Sequence, residues 1–242
     1  MKHTIGVWGE FACFAMPALK VERFSYPVPT PSAARGIFDA IYCKPKEFRW
    51  QIVRIDCLGP PAYIALRRNE VKGTVSVANV QKWMAGKAEP EPLLADGDAE
   101  GEGRTQRQTM ALKNVSYRLH AEIRPWPGFE TQATAFDEQF ARRVACGKCA
   151  WQPYLGCREF PAYFVPVESP PSGPPCPGLN LDLGFMLYDV YDLSRPYLFD
   201  PDRPKELNVA ISLFRAHVCD GVLSVPDYDS PEVLKGARSD RL

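Results

Sequence analysis

Between Leu112 and Arg124 the chain alternates with a period of two. Val115, Tyr117, Leu119, Ala121 and Ile123 are apolar, while Asn114, Ser116, Arg118, His120, Glu122 and Arg124 are polar. That period over that length is a strand with one buried and one wet face, so the chain has to build a sheet around it. Thr4 to Phe14 reads as a second strand, covered on both sides: Ile5, Val7, Phe11 and Cys13 share one face, and Trp8, Ala12 and Phe14 the other. Arg49 to Leu58 and Ala62 to Arg68 are two more, separated by the turn Gly59-Pro60-Pro61.

Two helices interrupt the strands. Thr30 is an N-cap residue, Pro31 suits the first helical position, and Ala33, Ala34, Ile37, Phe38, Ala40 and Ile41 form one apolar face up to Pro45. Arg35, Asp39 and Tyr42 fall together on the other side. Thr134 to Cys146 is expected to be helical, with Thr134 as cap and Asp137 in a capping box. Phe136, Phe140 and Val144 would make its apolar stripe, and Gly147 would stop it. The order β-α-β-β, loop, β-α predicts an α+β protein. Its N-terminal domain, residues 1–150, is expected to be ferredoxin-like, the fold of RNA-recognition modules. Past Trp151 prolines accumulate. Gly184 to Tyr191 and Asn208 to Val225, with Asp220-Gly221 as a hairpin turn, predict a smaller, mostly β domain over 151–242.

Composition excludes some functions. No apolar run approaches a membrane span, and the first residues read as a strand rather than a signal peptide, so a cytoplasmic protein with no membrane partner is expected. The 29 basic and 29 acidic residues cancel, which argues against a simple basic nucleic-acid binder. The acids are uneven, however. Gly86 to Glu102 holds six of them and one lysine, and without it the net charge is +5. That stretch is expected to be a solvated insertion on a mildly basic body. Of the eight cysteines, Cys146 and Cys149 form a lone CxxC. No second pair and only three histidines accompany it, so neither a metal nor another cofactor is expected.

Tyr42, with Arg35 behind it and Lys44 after it, ends a short helix on its polar side, where it can meet a phosphate or can merely seal the helix against the sheet. The blocks TPSAARGIFDAIYCKP (30–45), RRNE (67–70), QRQTMALKNVSY (106–117) and QPYLGCREFPA (152–162) resemble those of the type I-C CRISPR-associated endonuclease that processes precursor CRISPR RNA, a member of the RAMP superfamily. They come in that family's order and spacing. The resemblance implies metal-independent cleavage of the repeat hairpin, giving a 5′-hydroxyl and a 2′,3′-cyclic phosphate. It implies that the protein stays on the 5′ handle of the guide beside the backbone and large subunits of the type I-C interference complex, with target DNA as a further partner there. It also implies catalytic roles for Tyr42 and Lys113, and puts Asn114 where the family has histidine; asparagine donates hydrogen bonds but cannot shuttle a proton near neutrality. Arg35, Lys44, Arg67, Arg68, Arg104, Arg107 and Arg118 are the cations expected at RNA phosphates. The alternative is a non-catalytic RNA-binding subunit that caps the guide's 5′ end, which Asn114 favours. A weaker one is a DNA-binding module.

Overall fold

The computed structural model describes residues 1–19, 22–71, 73–91, 104–167, 173–196 and 209–236. Its spine is β5 (Arg104–Pro125), the strand expected over 112–124, extended by eight residues at its start. β1 (Lys2–Ala12) pairs antiparallel along one edge of β5, from Leu112 to Glu122. The other edge is shared. β4 (Tyr63–Val71) takes Arg104 to Leu112, and β3 (Phe48–Cys57) takes Tyr117 to Pro125. β2 (Arg23–Phe24) runs parallel to Thr109 and Met110.

Later strands extend the same sheet. β6 (Tyr163–Pro166) joins the outer edge of β1. β9 (Val222–Ser224) joins β3, followed by β8 (Val209–Cys219), which also pairs with β7 (Leu181–Tyr191) and β10 (Val233–Lys235). The order is β10-β8-β9-β3-β5-β1-β6. The fold is therefore mixed and mainly antiparallel. The β8–β9 hairpin turns at Asp220-Gly221, both with positive φ, as the Asp-Gly pair predicts.

Helix α1 (Pro31–Ile41) begins as expected: the Thr30 hydroxyl accepts the Ala33 amide at 3.1 Å. Its apolar face packs on Trp50 and on α3 (Ala133–Ala145), with the Phe38 ring 4.9 Å from Trp50 and 5.5 Å from Phe140. Burying such rings stabilises by roughly 2–3 kcal/mol each, so both helices are held to the sheet by this cluster. The start of α3 differs from expectation. A 3-10 turn, Glu130–Gln132, runs directly into it, and neither Thr134 nor Asp137 caps it. Asp137 is buried against His3 instead, its Oδ1 2.5 Å from Nε2.

β7 leans on α1 through a buried ion cluster. Arg35 donates from Nε and Nη2 to both oxygens of Asp189, at 2.7 and 3.0 Å, and from Nη1 to Asp39 at 2.6 Å. Burial pulls the pKa of Arg35 down, and the two carboxylates more than restore it, so the guanidinium stays charged. One short helix was not expected: α2 (Val77–Met84) buries none of its residues. In the acidic insertion, residues 92–102 lie outside the described residues. No helix among the described residues is long and apolar enough to cross a membrane.

Candidate active site

Tyr42 sits where α1 ends. Its backbone is extended, its amide still bonds to the Phe38 carbonyl, and its own carbonyl accepts the Trp50 indole N–H at 2.8 Å. The ring packs 5.3 Å from Phe48 and is 6% exposed. The Arg143 guanidinium of α3 lies over it at 5.3 Å and donates to the Ile41 carbonyl at 2.9 Å. Lys44 comes back from the following turn, bonded to Glu47 at 2.7 Å and near enough for its charge to act on the Tyr42 phenol. Burial raises the pKa of Tyr42, against Lys44, Arg143 and Arg142, which lower it. At neutral pH the group is a phenol among cations. It can donate a proton or a hydrogen bond to a developing oxyanion, and the cations can hold that charge.

Lys113 and Asn114 are elsewhere. Lys113 is cross-strand from Phe11, and its amide bonds to the Ala62 carbonyl. Tyr42 packs on Phe48, which pairs with Pro125, twelve residues further along β5. At about 3.3 Å per residue that is roughly 30–40 Å, far beyond the reach of a lysine side chain. The structure thus does not bring Tyr42 together with Lys113 and Asn114. The awkward alternation at Lys113 has its explanation here. Asn114 has φ of +51° at the point where β5 changes partner from β4 to β3. Ala111 and Leu112 are both buried, and Lys113 and Asn114 both exposed. Asparagine tolerates this left-handed conformation better than most residues, so its presence answers to the backbone of the elbow.

Of the seven expected phosphate contacts, Lys44 alone stands beside Tyr42. Arg35 is bonded to Asp39 and Asp189, which hold it between α1 and β7. Arg118 is bonded to the buried Asp56 at 3.4 Å and to the Gly173 carbonyl at 2.5 Å, so it is also committed internally. Arg68 ties β4 to Glu159. Arg107 pairs with Glu70 at 3.3 Å, and Arg67 is exposed on β4. Arg104 begins β5, its side chain outside the described residues. His120 does not approach Tyr42 either. Its Nε2 meets Asp56 at 3.2 Å and its Nδ1 meets the Thr4 hydroxyl at 3.0 Å.

Arg142 and Arg143 were the residues that reading along the chain missed. They fall in the last turn of a helix, where basic residues ordinarily complement the helix dipole, so nothing local marks them. Only the packing of α3 across α1 brings Arg143 over the Tyr42 ring. The block 152–162 is structural around Gly156. With φ of +83° this glycine lies so close to Cys13 that a Cβ would be 2.1 Å from its carbonyl oxygen.

Comparison with known proteins shows the family. The Cas5d family model, described as CRISPR-associated protein (Cas_Cas5), matches residues 4–226. A CRISPR pre-crRNA endoribonuclease Cas5d of Thermus thermophilus is 42% identical over 229 residues, covering 92% of this chain and 90% of that protein. Its counterpart in Mannheimia succiniciproducens is 36% identical over 238 residues, covering 95% and 96%. Two solved structures share the fold at 18% and 19% identity, each covering 96% of both chains. One is a CRISPR-associated protein, with a TM-score of 0.58, and the other a functionally uncharacterized protein of Streptococcus mutans, with a TM-score of 0.56. With most of its sheet, both packed helices and Tyr42 inside the matched span, this chain belongs to the Cas5d family of CRISPR-associated proteins.

Proposed function

We propose that this chain is an endoribonuclease that cuts precursor CRISPR RNA at its repeat hairpin without a metal ion, and that the cut is made at the end of α1. The names of the two relatives support the activity. The observation that carries the site is the buried phenol of Tyr42, with Lys44 and Arg143 against it. In the reaction a 2′-hydroxyl attacks the adjacent phosphorus and the bond to the 5′-oxygen breaks. The 2′-hydroxyl proton leaves to water. The proton that completes the new 5′-hydroxyl comes from Tyr42, and the phenolate recovers one from water. A phenol held protonated by burial suits the acid in this scheme better than the base. Lys44 and Arg143 balance the extra charge on phosphorus as it becomes five-coordinate. DNA lacks the nucleophile, which makes the enzyme specific for RNA.

On this reading Lys113 and Asn114 contact RNA away from the chemistry, at the elbow of β5, and the exposed Arg67 and half-buried Arg107 do so along the β4–β5 arm. The fold is inferred to be a ferredoxin-like core, β1-α1-β3-β5-α3-β6. The support is its strand order, β3-β5-β1-β6, with every neighbouring pair antiparallel. The core then takes β6 from beyond residue 150, and the smaller β unit begins after it. As in the family resemblance, the protein remains on the 5′ handle of the cut guide, beside the backbone and large subunits of the interference complex, with target DNA passing through the same assembly.

A second reading, a subunit that caps the guide without cutting, has one observation in its favour. Among the described residues, none of the three histidines sits at Tyr42: His3 is bonded to Asp137, His120 to Asp56, and His217 lies by Asp182. Purified chain with the repeat hairpin in EDTA separates the readings. Cutting that a 2′-deoxy nucleotide at the scissile position abolishes supports the enzyme; tight binding of an intact hairpin supports the cap.

A further inference from the structure

Beside the turn that follows Tyr42 lies a cleft of about 350 Å³, near the lower end of the roughly 300–1,000 Å³ usual for small-molecule sites. Cys43 and Pro45 of that turn and Phe48 at the start of β3 line it. Two tryptophans stand at its walls, and both are attached to the segment bearing Tyr42. The Trp126 indole N–H donates to the Pro45 carbonyl at 3.0 Å, and the Trp151 amide bonds to the Ala40 carbonyl at 3.4 Å. Trp151 is 47% exposed, and Trp126 is half-buried. A third aromatic wall is Tyr191, with the Arg35 guanidinium 5.7 Å from its ring centre.

The charges around this cleft cancel. Arg35 is bonded to Asp39 and Asp189, Arg49 lies 3.5 Å from Asp229, and Arg195 lies 3.5 Å from Asp192. A phosphate entering here would meet carboxylates beside every guanidinium. A flat, neutral, polarisable group would meet indole faces and paired hydrogen-bonding groups at the edge. That is the chemistry of a nucleobase. Next to the same turn the character is different, with the charges of Lys44, Arg143 and Arg142 acting on Tyr42. A strand of RNA lying along this segment would meet cations at Tyr42 and a base-sized cleft beside Cys43 and Pro45.

We propose that the cleft takes one unpaired base of the bound RNA, stacked on Trp151 and Trp126, from a nucleotide adjoining the scissile phosphate. Seating that base registers the strand so that the correct phosphate reaches Tyr42. The inference rests on the endoribonuclease reading for its purpose, but the pocket is testable without it.

The test uses the full chain and fluorescence anisotropy. The probes are octaribonucleotides of A, of C, of U and of alternating A and G, together with an abasic octamer carrying the same phosphates. Wild type should bind at least one base-bearing octamer about tenfold more tightly than the abasic one, the range that one stacked base supplies. Trp151→Ala should lose that preference and keep its affinity for the abasic octamer. Trp151→Phe should retain most of the preference. No preference in wild type, or a full preference surviving in a folded Trp151→Ala, overturns the pocket. Repeat-hairpin cleavage, read in parallel, reports the other claim: an intact hairpin with a preference still present sinks the enzyme reading and leaves the base site standing.

Discussion

Two regions of β5 invite comparison. At the Pro125 end, residues far apart in sequence converge: Tyr42 from the end of α1, Lys44 from the next turn and Arg143 from α3, around a phenol whose pKa burial raises. Near the middle of the strand, adjacent residues, Lys113 and Asn114, lie exposed where β5 trades one partner for another. The first has the attributes of a reaction centre: a desolvated proton donor, nearby cations, and a rigid aromatic bed beneath it. The second has the attributes of a hinge in a sheet. A short motif with a lysine beside a polar residue can therefore mark backbone geometry, not chemistry.

The comparison breaks first at Tyr42. Replacing it by Phe keeps the ring against Phe48 and removes the proton. Single-turnover cleavage of the repeat hairpin should fall by about 10²–10⁴-fold, while Lys113→Ala stays within severalfold of wild type. Arg143→Ala removes a charge-stabilising donor and should cost about 10²–10³-fold in the same assay. If that variant cuts normally, the cation cluster is only packing.

Stability sharpens the comparison from another side. Arg35→Ala strands the buried Asp189 and leaves Asp39 without its partner, and urea denaturation should show a loss of about 3–5 kcal/mol. Were Arg35 an RNA contact instead, binding would suffer and stability would not. The smallest effects belong to the elbow. Asn114→Gly should leave folding and cleavage near wild type, because glycine adopts positive φ freely, whereas Asn114→Ile should cost about 1–2 kcal/mol of stability. Asn114→His should not raise the cleavage rate, since a histidine there stands far from Tyr42.

Much of the sheet was legible because β1, β3 and β5 alternate with period two, and α1 because its cap, proline and apolar face agree. β6 was hidden by Pro161 and Pro166, which punctuate a strand of only four residues. α2 escaped notice because it buries nothing, so no apolar stripe announces it. Tyr42 stood out in the sequence from its place on the polar side of α1. The position of Arg143 over its ring did not, because that depends on the crossing of two helices, and the ion pairs of Arg35 and Arg118 were hidden in the same way, their carboxylates lying 154 and 62 residues away.

The most direct measurement compares Tyr42→Phe with Lys113→Ala, side by side with wild type, in single-turnover cleavage of the repeat hairpin in EDTA. The account predicts that wild type and Lys113→Ala cut at similar rates and that Tyr42→Phe is slowed by at least about a hundredfold. Loss of cutting in Lys113→Ala with Tyr42→Phe unimpaired would contradict it and move the chemistry to the elbow of β5.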